Sequence, residues 1–242
     1  MESRRHRLIR LLWRIVLDFK LLFLMFMFLF VISTAIFVIS STYSMLNDIL
    51  KASLVTPWGV VTSLFVHQGL EHLAYNMAGL LAFFFLFSII NSHLSKQEIK
   101  TRVSLFLIAI FLMAIFSNTL WMILVPQAST AGSSGLVFAS EGIFMGFTLL
   151  NGLQIIELFK DGGKDRKRLM AIYLCNLTIF GVLFVQIVLT PQIFLNVAPA
   201  VNAFVHGVSF LGGFSLTIFW SLYRRLRGKC LSKLSSKYIS KD

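Results

Sequence analysis

Polar and apolar residues along this chain are sorted by segment. Long runs almost free of charge, roughly 21–45, 72–91, 103–125, 133–151, 169–189 and 202–223, are separated by short stretches where the charged residues collect. A helix needs about 20 residues to cross a ~30 Å hydrocarbon core, so the pattern predicts six transmembrane helices, the fourth the shortest and most interrupted. The expected organisation is a basic N-terminal segment at 1–20, a six-helix domain at 21–223 and a basic C-terminal tail at 224–242. No internal repeat of the transporter kind is apparent, and no soluble domain fits between the runs. The first run is longer than a signal-peptide core and has no convincing small-residue cleavage site, so it is expected to remain as a span.

Composition agrees with a membrane protein. The 242 residues are 57% hydrophobic and their mean hydropathy is +0.82, which a soluble chain of this size seldom reaches. The net charge of +12 could suggest nucleic acid, but the basic residues alternate with apolar segments and form no folded basic surface, so nucleic acid is not an expected partner. They flank spans instead. All but one of the 22 basic residues, Lys51, fall before the first run, between the second and third, between the fourth and fifth, or after the sixth. The positive-inside rule then puts both termini in the cytoplasm, and an even number of spans agrees. Two cysteines provide no disulfide framework. Cys175 is expected in the core, and Cys230 as a spectator thiol past the last span.

This orientation gathers the unusual polar residues on one side of the bilayer. His67, His72 and Asn76 fall at the outer end of the second span, Ser133 and Ser134 at the outer end of the fourth, and His206 near the outer end of the sixth. A serine nucleophile needs a base for its proton and donors for the oxyanion formed on attack. Ser134, flanked by Gly132 and Gly135 at a loop-to-helix turn, suits the first role, because a substrate backbone can come close and unpaired N–H groups at a helix start favour negative charge. The same four residues also read as a plain cap and turn. His206 lies in an apolar span, where an ionisable side chain is a functional hypothesis by default, although a membrane histidine can also bridge helices or line an ion path.

Small residues recur at Gly135, Ala139, Gly142 and Gly146 of the fourth span and at Ser209 and Gly213 of the sixth. Such stripes allow close helix approach, so these spans are expected to pack together and bring His206 to Ser134. His72 and Asn76, four apart on one helix face, can both donate hydrogen bonds and, with the Ser134 amide, could line an oxyanion hole; helix capping or interhelical bonding is their other reading. Only Asp48 and Glu71 are acidic on the outer side, and neither is placed to orient His206, so a dyad is the economical reading. Glu141 stands seven residues past Ser134 and about 10 Å deeper, where a structural or water-coordinating role is expected. No metal or cofactor is expected.

In combination these motifs resemble the rhomboid intramembrane serine proteases. Gly132–Ser133–Ser134–Gly135 is similar to the family's Gly-x-Ser-Gly, and His206 with Gly213 to its His-x-x-Gly-x-x-x-Gly. His67, His72 and Asn76 match a segment ending in His-x-x-x-Asn. The resemblance implies an all-α, polytopic six-helix bundle of the prokaryotic type, N-in and C-in, in a prokaryotic cell membrane. It further implies Ser134 as nucleophile, His206 as general base, and His72 and Asn76 holding the oxyanion, with membrane lipids as surroundings and transmembrane segments of other proteins as substrates.

Three positions depart from the family pattern. Ser209 stands for a glycine, and Phe138 for a tyrosine that stacks on the catalytic imidazole; phenylalanine keeps the stacking and loses the hydroxyl. Gly59 follows Trp58 where the family has arginine, which bears on the hydrogen bonding of the first outer loop. A rhomboid-like protein that binds helices without cutting them, and a small transporter with His206 and Glu141 on a proton path, are the remaining readings.

Overall fold

The computed structural model describes residues 9, 13, 15–92, 94–161, 166–189 and 203–239. Arg4, Arg5, Arg7, Arg10, Arg14, Lys164 and Lys241 of the basic flanks lie outside them. The long helices are α1 (Lys20–Thr42), α4 (Leu70–Asn91), α5 (Lys96–Leu124), α6 (Ser134–Asp161), α7 (Arg166–Leu189) and α8 (Ala203–Ile239). Between α1 and α4 the chain forms two short helices, α2 (Met45–Leu50) and α3 (Gly59–Thr62), then a single 3-10 turn at Ser63–Phe65. Among the described residues there is no strand, only one isolated bridge between Ala52 and Thr130.

Among the described residues four helices, α1, α4, α5 and the Ala203–Arg224 part of α8, are long and apolar enough to cross a membrane, and shorter apolar stretches occupy Ser134–Leu150 of α6 and Tyr173–Val185 of α7. The protein is an integral, multi-pass helical protein. Helix ends and the ends of apolar runs do not coincide. A helix stops where its terminal backbone groups find other partners, not where the lipid stops. Accordingly α5 starts at Lys96, seven residues before its apolar run, because Ser95 and Glu98 form a capping box: Ser95 Oγ accepts from the Glu98 N–H at 3.4 Å and the Ser95 N–H donates to Glu98 Oε2 at 3.1 Å. Helix α6 continues to Asp161, and α8 runs to Ile239, through most of the segment expected as a tail.

The architecture centres on α6. Residues 139–148 of this helix are all buried, which requires neighbours on every side. Its small-residue stripe meets α8: a Cβ on Gly142 would run into the Phe210 carbonyl oxygen, and one on Gly213 into the Ala139 carbonyl oxygen. These are backbone-to-backbone approaches, and they confirm that the fourth and sixth apolar segments pack together. On the α4 and α5 side the core is aromatic, with Phe87 and Phe106 centroids 4.2 Å apart and Phe87 to Phe147 5.7 Å apart. A second cluster joins Phe83 and Phe144 to Ile179, Phe180 and Leu183 of α7. In lipid, side-chain transfer gives helices little drive to associate, so close packing and interhelical hydrogen bonds hold the bundle. One expectation fails here: Cys175 is exposed on α7, not in the core.

Candidate active site

The turn entering α6 is fixed from several directions. Gly132 has φ of 115°, a left-handed conformation that favours glycine. Its N–H donates to the Ser63 carbonyl at 2.8 Å. Ser63 Oγ in turn accepts from Asn118 Nδ2 of α5 at 3.1 Å. Just upstream, Ala52 and Thr130 exchange two backbone hydrogen bonds of 3.0 Å, tying the first outer loop to this turn. Gly59 is explained by the same closeness: a Cβ there would strike the Lys51 carbonyl. Trp58 beside it donates from Nε1 to the Ile49 carbonyl at 2.8 Å. Ser63, Asn118 and Thr130 are positioning residues that sequence reasoning missed. Nothing short of the folded chain relates Ser63 to Gly132.

Ser133 and Ser134 have different surroundings. Ser133 is 1% exposed and its carbonyl accepts the first helical bonds, from Leu136 and Val137. Its hydroxyl and backbone N–H both reach His67 Nε2, at 3.1 and 3.5 Å. Nε2 is therefore the acceptor, and the ring proton sits on Nδ1, which donates to the Phe65 carbonyl at 3.3 Å. Ser134 opens α6 one residue later, is only partly buried, and its hydroxyl is in no hydrogen bond among the described residues. The first serine is held and the second is presented.

His67 lies in the loop before α4. Burial first, then the neighbouring His72, holds its pKa down at about 4 against an ordinary 6.5, only partly offset by the bond to Phe65. With a folded pKa below the unfolded one, this histidine supports the fold fully above about pH 6.5, and that support is lost as the pH falls toward 4. The thermal midpoint is thus expected to drop between pH 6.5 and 4, and to drop less in His67→Gln. An equal drop in the variant would remove His67 as the source.

His72 and Asn76 face the same turn from α4. A Cβ on Gly132 would lie 2.7 Å from His72 Cε1 and 3.6 Å from Asn76 Nδ2, so both side chains close over the glycine backbone. Asn76 is 7% exposed and its Nδ2 has no partner among the described residues. A buried amide donor without an acceptor is unfavourable at rest and suits an oxygen that arrives with a substrate. His67 packs edge-on against His72 at 5.2 Å between ring centroids, steadying it.

From the other side comes α8. The His206 ring is 5% exposed and stacks on Phe138, with centroids 4.2 Å apart and planes at 23°. Phe138 is one turn past Ser134 on the same face of α6, so the imidazole lies beside the serine's face of the helix. One turn along α8, Ser209 is buried, and its hydroxyl donates to Ser117 Oγ at 2.8 Å, while Ser117 donates to the Ala114 carbonyl at 3.0 Å. A Cβ on Gly135 would lie 3.4 Å from Ser209 Oγ and 3.2 Å from Ala114 Cβ. Where the family has glycine, Ser209 fits and adds a link to α5. Gly213, a turn further on, is the close approach to Ala139 already described.

The carboxylates stay apart from this cluster. Asp48 is engaged by Lys51 at 3.1 Å, and Glu71 is exposed. Glu141 is 3% exposed, its Oε1 without a hydrogen-bond partner among the described residues. Among those residues there is also no group of three or more His, Cys, Asp or Glu arranged to hold a metal.

Ser134 thus opens α6 next to a turn covered by His72 and Asn76, with His206 stacked on Phe138 one turn away. The family model of the Rhomboid domain matches residues 55–225. The chain belongs to the rhomboid family. It is also 28% identical over 165 residues to "Rhomboid-like protease 3" of Toxoplasma gondii, an alignment covering 68% of this chain and 52% of that protein. This rhomboid thus spans about half the length of the curated relative it matches. The matched region holds Trp58, His67, His72, Asn76, Ser134, His206 and Gly213.

Proposed function

We propose that this rhomboid is a serine protease that cleaves transmembrane segments of other membrane proteins by acyl transfer through Ser134 and His206. The observation that carries this reading is the stacking of His206 on Phe138, one turn from a partly exposed serine at a helix N-terminus. In the proposed reaction His206 takes the Ser134 hydroxyl proton as Oγ attacks the scissile carbonyl carbon. The carbonyl electrons move onto oxygen, and the Asn76 amide, the His72 ring N–H and the Ser134 backbone N–H hold that oxyanion. Collapse breaks the C–N bond, and His206 returns the proton to the leaving amine. Water then attacks the acyl-enzyme with His206 again as base.

Six crossings with both termini in the cytoplasm are part of the same proposal, supported by the distribution of basic residues. They put the site at the outer ends of α4, α6 and α8. Water must reach such a site from above, and the substrate helix must unwind locally to offer its backbone.

The test is covalent labelling of the purified protein with a fluorophosphonate. Modification of Ser134, found by peptide mass spectrometry and lost in His206→Ala, is the expected result. No label, or label on Ser133, would overturn the assignment, and no label with intact folding would favour a rhomboid that binds helices without cutting them.

A further inference from the structure

At the far end of α5 from the active site, a cavity of about 200 Å³ opens between α5, α6 and α8. Arg102 stands about 22 Å along the helix from Ser117, and with Phe106, Ala109, Phe147, Leu216 and Trp220 it lines this cavity. The walls are otherwise almost entirely apolar. The guanidinium of Arg102 is the exception, and it is only partly compensated. Arg102 is 9% exposed. Nη1 donates to Asn91 Oδ1 at 2.7 Å, and the group lies 5.1 Å over the Phe147 ring. Among the described residues its Nε has no partner and it forms no ion pair. Glu98, one turn earlier, is exposed and turned to its own cap, accepting from Ser95 Oγ at 2.7 Å.

A second cation completes the picture. Arg224 lies 5.2 Å over the ring of Trp220, a wall of the same cavity, and its charge acts on Arg102. The exposed Glu98 carboxylate acts on both guanidinium groups from a distance, but among the described residues it forms no ion pair with either, so an anion bridging the two would be their closest counter-charge. Both stand where a lipid phosphate would be. Arg102 is six residues, about 9 Å, into α5, and Arg224 is the last residue of the apolar part of α8.

We propose that this cavity is a binding site for an anionic phospholipid of the leaflet facing the basic flanks, with the phosphate bridging Arg102 and Arg224 and an acyl chain along Phe106, Ala109 and Leu216. Guanidinium and phosphate match as bidentate donor and acceptor, and basic pockets between membrane helices are suited to acidic headgroups. A partner of any other kind would have to supply both an anion at the interface and a thin apolar chain beside it. A phospholipid is both.

Trp220 reports on the site directly. The full chain, in nanodiscs of phosphatidylcholine, is titrated with brominated phosphatidylglycerol or brominated phosphatidylcholine, and the Trp220 signal is taken as the difference between wild type and Trp220→Phe. Half-quenching is expected at about tenfold lower mole fraction for the anionic lipid, the scale of a charge-assisted hydrogen bond. Arg102→Gln with Arg224→Gln should remove that preference, whereas Lys100→Gln, an exposed charge on the same helix, should keep it. Equal quenching by the two lipids in wild type would overturn the proposal without any variant. So would quenching by neither, which would mean protein covers the cavity, or a preference that survives loss of both arginines.

Discussion

Ser134→Ala is expected to lower cleavage of a single-span reporter substrate by about four orders of magnitude or more, while Ser133→Ala lowers it by about tenfold at most. The two serines are neighbours in one Gly-Ser-Ser-Gly run, so the contrast rests on their surroundings. Ser133 spends its hydroxyl on His67 at 3.1 Å and is 1% exposed; its backbone N–H also reaches that ring. Removing the hydroxyl therefore loosens the turn by the order of one hydrogen bond, about 1 kcal/mol, and leaves the reacting groups present. Ser134 is partly exposed and lies one turn from the residue on which His206 stacks. Removing its hydroxyl takes away the attacking atom. Cleavage assayed at equal protein level in proteoliposomes decides between them. Equal losses in the two variants would show that geometry of the turn, not a nucleophile at 134, limits the reaction.

The second large effect is structural. Gly142→Ala is expected to destabilise the bundle by about 3 kcal/mol, lowering the thermal midpoint by about 10 °C and reducing cleavage with it. A Cβ at 142 meets the Phe210 carbonyl oxygen and, 2.9 Å away, the Phe214 nitrogen. Backbone atoms cannot rotate aside as a side chain would, so α6 and α8 must separate. His206, one turn before Phe210 on α8, would then leave its place over Phe138. Gly181→Ala in α7 is the control, since a Cβ there meets nothing within 4 Å. In that open position alanine should be neutral or stabilising through its helix propensity, by up to about 1 kcal/mol. Matching losses at both positions, read by thermal unfolding in detergent, would mean that the close contact between α6 and α8 does not hold the site together.

Much of this fold is legible from the chain alone. Uncharged runs mark the helices because charged side chains are costly in hydrocarbon, and the charge clusters mark their ends. Even the pairing of α6 with α8 can be read from Gly135, Ala139, Gly142, Ser209 and Gly213, since small residues at helical spacing are of little use except for close approach. The inward faces are harder. Phe87 is fully buried and Phe219 is 70% exposed, yet both are phenylalanines in apolar runs. Cys175, exposed in an apolar run, shows the same limit: lipid and protein interior favour the same side chains, so the pattern does not distinguish them.

The candidate site divides in the same way. Ser134, His206, His72 and Asn76 stand out because polar groups in apolar spans are rare, and their order along the chain resembles a known family. Local sequence does not reveal that Ser63 and Asn118 fasten the Gly132 turn, that His67 occupies Ser133, or that Gly59 faces the Lys51 carbonyl. Each of these joins residues separated by loops or whole helices. The chain by itself determined which segments are apolar, which ends carry charge and which side chains are chemically capable. Only the tertiary structure decided which serine is presented, which helix lies at the centre and which guanidinium is buried beside an apolar cavity. Composition records what a residue prefers as solvent, and it takes the packed backbone to say which neighbour supplies it.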